Sequence, residues 1–478
     1  MKKTALVPVI FAAITSTILD IVAGFHTGWS SPILSKLLED TSVPVTEDQA
    51  SLIVSCFSIA AVVGPISMML TVDRWGRKVT MILVAVAFLI AGVMLTFPQN
   101  YWWYYIGRLT CGFATGNVVS VLPMYLAEIA EDRIRGGLSI LITVMYNSGT
   151  VVAYSVGPWV SVSNLGAIGL VMPLVFLLLV PWMPETPYFY VMKGKPDLAR
   201  RSLEFLRGTT DVDEEIERLK KSVEIDLQNT GTFKELLMDR ANRKALLVIL
   251  GILAAQQLSG ISIILYYNTS IFNQVISNIS SSTSVIITGV VQLIASLPVV
   301  YFANRIGRRP LVLGSMFFSV VFLAALSAYF HLQAIGNDVS TISWLPVTAM
   351  VGYLSAYAVG LGSMGLPILT ELLPGNVKAY GILVATTWST IIGTVVSLVY
   401  PTAKIMYGNH TAFYSFTICV AVLIIPTFFY LPETKNKSLS EIQQMLRVRS
   451  TSEQKLEPVP TPECSRSNSI YCIAIGKN

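Results

Sequence analysis

Asp73-Arg74-Trp75-Gly76-Arg77-Lys78 is echoed 231 residues later by Asn304-Arg305-Ile306-Gly307-Arg308-Arg309, with the glycine and the basic residues in register. The echo is not isolated. Glu128 through Arg133-Ile134-Arg135-Gly136 returns as Glu371 through Lys378-Ala379-Tyr380-Gly381, offset by 243 residues, and Pro184-Glu185-Thr186 returns as Pro432-Glu433-Thr434, offset by 248. Three echoes in one order and at similar spacing imply a chain built from two parallel repeats.

The segments between these motifs are apolar. Of the 478 residues 53% are hydrophobic and 13% charged, and the mean hydropathy is +0.63, which excludes an ordinary soluble protein of two or three domains. A helix needs roughly 20 mainly apolar residues to cross the hydrocarbon core. Such runs lie near residues 7–28, 50–70, 79–97, 103–126, 138–160 and 165–183, then 244–268, 284–303, 310–330, 344–369, 380–400 and 412–431. They are continuous rather than alternating, which favours helices over a barrel. The expected fold is therefore an all-α integral membrane protein with twelve transmembrane helices in two six-helix pseudo-repeats. Its expected parts are an N-terminal half (1–183), a cytoplasmic helical linker (184–243), a C-terminal half (244–431) and a cytoplasmic, largely disordered tail (432–478). Within the linker, 196–206 and 213–219 have apolar positions at helical spacing.

Charge sets the orientation, because Lys and Arg flanking short loops stay in the cytoplasm. Of 33 such residues, Lys36 and Lys404 fall on segments assigned outside, Arg108 lies within a span, and the other 30 fall inside. Both termini are then cytoplasmic. The net charge of +5 reports this bias rather than a nucleic-acid surface. Residues 1–25 have a basic start and an apolar run, but the run is long, lacks a small-residue cleavage site and carries Asp20, so a retained first span is expected. The five cysteines form no disulfide framework. The sequons at Asn278 and Asn409 fall on loops assigned outside, whereas that at Asn268 is expected to be buried. There is no nucleophile-and-base group, metal cluster or phosphate-binding glycine loop, so an enzyme is not expected. No cofactor or metal is expected either.

The paired motifs, with Gln256-Gln257-Leu258-Ser259-Gly260-Ile261 and Leu431-Pro432-Glu433-Thr434, resemble the sugar porter family of the major facilitator superfamily over most of the chain. Gly28-Trp29-Ser30-Ser31-Pro32 is similar to insect facilitated trehalose and hexose transporters. The resemblance implies two halves rocking about a central site, without ATP, to move a hexose or trehalose by facilitated diffusion across a plasma membrane. The alternatives are a proton-coupled symporter of the same fold and a sugar sensor without flux. The expected partners are a small-molecule sugar and the bilayer, with no nucleic acid, and the expected state is a monomer.

Asp73, Arg77, Glu128, Arg135, Glu185, Arg308, Glu371 and Glu433 are expected to form a cytoplasmic latch between the halves, since acids and bases meet there at helix ends. The alternative is solvated loop charges worth little singly. Tyr188 stands where the family carries an Arg. A sugar needs amides that both donate and accept, plus an aromatic face; Gln256, Gln257 and Gln292 supply the first. The resemblance also brings Thr27, Thr143, Ser262, Thr387 and Trp388 to the site. Thr143 replaces a Gln, Ser262 and Thr387 replace Asn, Ala358 replaces Glu and Leu366 replaces Trp, so polar reach is reduced relative to the glucose transporters. Asp20, His26 and Arg108 are ionisable groups at membrane depth and are candidates for proton coupling. His26 falls where similar symporters carry Asp and uniporters Asn.

Overall fold

The computed structural model describes residues 6–39, 43–131, 134–228, 232–275 and 279–435, together with 437, 441, 442, 444 and 445. Apart from turns and short 3-10 segments, every regular element among them is an α-helix. Ten helical segments are long and apolar enough to cross a membrane: Leu6–Glu39, Glu47–Trp75, Arg77–Thr96, Tyr101–Ile129, Ile140–Trp159, Val162–Trp182, Arg240–Phe272, Arg308–Ala334, Ser340–Leu372 and Asn376–Tyr430. The last changes direction at Gly408, where φ is 81° and ψ is 167°. A shorter apolar helix, Ser281–Ser296, runs through Leu297 and Pro298 into Val299–Ile306. Between Thr186 and Arg240 lie the shorter helices Pro187–Met192, Pro196–Arg207, Asp213–Gln228 and Phe233–Met238.

The helix starts follow from local chemistry. Thr46 and Gln49 form a reciprocal capping box, and Ser161, Thr186, Asp239 and Ser280 each accept a backbone N–H of the following first turn. These bonds satisfy donors that have no partner inside the helix. Two lysines fasten further helix ends. Lys36 Nζ donates to the carbonyls of Gly157 (2.9 Å), Pro158 (2.9 Å) and Val160 (2.6 Å), closing the end of the helix that precedes them. Lys404 Nζ donates to Ser270 Oγ at 3.0 Å. The two cations that break the charge asymmetry thus have structural partners.

Large apolar side chains stand exposed along whole helices, as at Ile418, Val422, Ile425 and Phe429, one helical stripe that needs lipid rather than water. Helix contacts are made through small residues. Gly24 of Leu6–Glu39 lies against the Tyr146 carbonyl, and Gly149 of Arg135–Val156 lies against the Ile21 carbonyl, so that a Cβ at either would collide with backbone. Lipid is as apolar as leucine, so such close approach is what holds membrane helices together. Gly149→Leu is expected to destabilise the protein by about 1–3 kcal/mol through overpacking, read as a lowered melting temperature in detergent; an unchanged melting temperature would show that the two helices separate freely.

Candidate functional site

Two ion-pair clusters occupy the helix ends that carry the repeated motifs. In the first, Arg77 Nη2 reaches Glu128 Oε1 at 2.8 Å, its Nε reaches the same oxygen at 3.1 Å, and Nη1 meets Asp73 Oδ1 at 3.5 Å. Glu185 accepts from the backbone N–H groups of Arg77 (3.2 Å), Lys78 (3.0 Å) and Thr186 (2.9 Å). It therefore caps the helix that begins at Arg77. Burial pushes the Glu185 carboxyl above the usual range, opposed by those backbone donors and by Arg77. In the second cluster, Arg308 Nη2 and Nε reach Glu371 Oε1 at 3.0 and 3.2 Å. Glu433 accepts from the N–H groups of Arg308 (3.1 Å), Arg309 (3.1 Å) and Lys435 (2.9 Å), and Thr434 Oγ1 donates to Glu371.

Gly76 and Gly307 explain why the motif is glycine-centred. Both have positive φ, 96° and 105°, where a Cβ is disfavoured. A Cβ there would also run into the Glu185 carboxylate at Gly76 and the Glu433 carboxylate at Gly307. In this conformation Arg77 pairs with Glu128 and Asp73, and Arg308 with Glu371, so each cluster is closed among residues of its own motif copy. Tyr188, in place of an Arg, contributes a ring: the Arg77 guanidinium carbon lies 5.6 Å from the Tyr188 centroid and 5.7 Å from that of Phe189. The Arg135 side chain lies outside the described residues. Because the Arg77–Glu128 side chains are 3% and 13% exposed against 21% and 28% for Arg308–Glu371, Glu128→Gln should lower the melting temperature more than Glu371→Gln. Leaving a buried arginine without its partner costs about 3 kcal/mol; equal losses would refute the ranking.

Away from these clusters, hydroxyls join helices that precede residue 184 to helices that follow residue 240. Ser31 Oγ pairs with Thr269 Oγ1 at 2.8 Å and accepts from Thr269 N at 3.0 Å. Tyr154 donates to the Leu265 carbonyl (2.8 Å), Ser58 to Tyr266 Oη (3.3 Å), and Thr394 to the Ser58 carbonyl (2.8 Å). Ser58 and Asp73 are fifteen residues apart on the Glu47–Trp75 segment, roughly 22 Å.

Between these two levels lie the amides. Gln257 Nε2 donates to Ser389 Oγ (3.1 Å), and its Oε1 accepts from Ser262 (3.0 Å). Gln256 Nε2 donates to the Gly362 carbonyl at 3.2 Å, beside the break at Gly360. Gln292 Nε2 donates to Asn147 Oδ1 at 3.3 Å, across the halves. Thr27 pairs with the Tyr146 hydroxyl at 2.7 Å. Thr143 is half-buried; the Thr387 hydroxyl is buried with no hydrogen-bond partner. Trp388 is 41% exposed, and its Nε1 donates to the Leu250 carbonyl at 3.2 Å. Asn147, Tyr146 and Ser389 were absent from the sequence-based set. Asn147 stands one turn after Thr143 and was discoverable as a lone amide in an apolar helix.

The ionisable groups differ in surroundings. Arg108 is fully buried, donates to the His26 carbonyl and Ser30 Oγ at 2.7 Å each, and lies over Phe57 at 4.4 Å. His26 is also fully buried, stacked on Phe88 at 5.5 Å, with Nδ1 3.4 Å from Cys111 Sγ. Asp20 is 2% exposed and its Oδ2 has no partner. Asn278 lies outside the described residues. Asn409 is 5% exposed, and its Nδ2, the atom a glycan would take, donates to Gln274 Oε1 at 2.6 Å; this geometry opposes its use as an acceptor. Asn268 is fully buried, with Nδ2 on Thr288.

Comparison with known proteins gives the same picture. The facilitated trehalose transporter Tret1 of Polypedilum vanderplanki is 34% identical over 451 residues, 93% of this chain and 89% of that protein. The Tret1-2 homolog of Drosophila sechellia is 31% identical over 444 residues, 92% of this chain and 91% of its own. Among solved structures, the inward-open xylose transporter XylE from E. coli matches with a TM-score of 0.76 at 20% identity, covering 91% of this chain and 99% of that one. The proton:xylose symporter XylE bound to 6-bromo-6-deoxy-D-glucose matches at 0.73 and 21% identity, over 92% and 99%. These structures share its major facilitator fold. A family profile described as "Sugar (and other) transporter" matches residues 10–446, and this multi-pass membrane protein belongs to that family of transporters.

Proposed function

We propose that the chain moves a hexose or trehalose by facilitated diffusion, through one central site that alternates between the two membrane faces. The observation that carries this reading is the division of neutral hydrogen-bonding groups between the halves: Gln292 and Asn147 face each other across them, and Gln257, Ser262 and Ser389 form a chain beside them. Such groups match a ring of hydroxyls and offer no fixed charge to it. Thr27, Tyr146, Gln256, Thr143, Thr387 and Trp388 complete the proposed site. The names of the trehalose transporters support the substrate class. Uniport is favoured over proton symport because His26 and Arg108 are both fully buried and enclosed by aromatic packing.

The same reading assigns twelve spans in two six-helix repeats: the ten long segments, the helix through Ser281–Ile306, and a division of the last segment at Gly408. The halves are residues 1–183 and 244–431, joined by the 184–243 linker, with 432–478 a cytoplasmic tail. Both termini lie inside a plasma membrane, and the protein works as a monomer. With the hydroxyl seam closed at the outer end, the conformation is inward-facing. In proteoliposomes, labelled trehalose or hexose is expected to equilibrate without accumulating. Gln257→Ala is expected to reduce uptake about tenfold, the equivalent of one or two lost hydrogen bonds. Accumulation driven by a pH gradient would establish symport, and binding without flux would remove the transport reading.

A further inference from the structure

Asp20 sits in the middle of Leu6–Glu39, fourteen residues from its start, or roughly 21 Å along the axis. It is 2% exposed, and its Oδ2 has no hydrogen-bond partner. The helix packed most extensively against it, Arg135–Val156, places the Tyr146 hydroxyl on Thr27, seven residues beyond Asp20. The other helices packed against this one are chiefly Tyr101–Ile129, Val162–Leu179 and Ile261–Phe272. The first brings Arg108, which is bound to His26 and Ser30, six and ten residues beyond Asp20. The other two contain no Asp, Glu, Lys, Arg or His. An ionised carboxylate without water or a cation at this depth is costly.

Asp20 also shares a helix face with Thr27, two turns on. Thr27 holds the Tyr146 hydroxyl, and the next residue, Asn147, reaches across to Gln292. The carboxyl therefore stands at the edge of the polar set that must rearrange when the halves move, whereas His26 is closed off by Phe88 and Cys111.

We propose that Asp20 is a proton-binding site of the transport path: its carboxyl is neutral in the conformation described, and loss of that proton to water stalls the movement of solute. This rests on the transport reading above and adds its control by protons. Two readouts on the purified full-length protein separate the claims. At neutral pH the infrared spectrum is expected to contain the C=O stretch of a protonated carboxyl that is missing from Asp20→Asn; no difference overturns the assignment. In proteoliposomes held at equal pH on both sides, wild-type uptake is expected to fall with rising pH, approaching about tenfold per unit once the acid ionises. Asp20→Asn should hold the acid-side rate at every pH, and Asp20→Glu should keep the slope. A flat wild-type profile, or a slope that survives in Asp20→Asn, sinks the proposal. Asp20→Ser serves both readouts where the Asn variant does not fold. If no sugar moves at any pH while the infrared difference persists, the sugar reading fails and the neutral carboxyl stands. Uptake without that infrared difference removes the Asp20 assignment and leaves the sugar reading intact.

Discussion

Inside a bilayer a polar group has no water to fall back on, and each must find its partner within the protein. This constraint orders the molecule. Arg108 is held by a carbonyl, a hydroxyl and an aromatic face, Lys36 by three carbonyls, and Arg77 by two carboxylates and two rings. Structural polar groups have been given enough partners to be fixed. Those left with capacity to spare, the amides and hydroxyls midway between the membrane faces, are the groups that a polyhydroxylated solute can engage.

The two carboxylate caps act mechanically. Glu185 and Glu433 come from the chain just after the apolar segments that close each half, yet they bind the first backbone amides of Arg77–Thr96 and Arg308–Ala334. Each ties the end of a half back to its interior. The proposed alternation between membrane faces requires such ties, since they let several helices move as one body.

Much of this was legible in the sequence because it depends on local requirements. A positive φ demands glycine, an apolar span demands length, and cations keep to one side, so Gly76, Gly307 and the charge pattern announce themselves. Contacts between distant helices were not legible. Arg77 and Glu128 were recognisable as a pair of signs, but nothing in their spacing says whether the pair closes within a half or between halves. Asn409 read as an outer sequon because exposure is not encoded in three residues; its burial comes from Gln274 and Tyr400, both remote from the motif. His26 was legible as an ionisable group at membrane depth, but its sequence neighbours do not reveal Phe88 stacked on it.

The seam between the early helices and those after residue 240 is made of serine, threonine and tyrosine hydroxyls rather than ion pairs. A neutral hydrogen bond contributes about 0.5–1.5 kcal/mol net, and a hydroxyl released from one partner can turn to another or to arriving water. Such a fastening has no long-range field and little memory of its former partner. In the proposed alternation such a seam opens bond by bond like a zip, each step within reach of thermal energy.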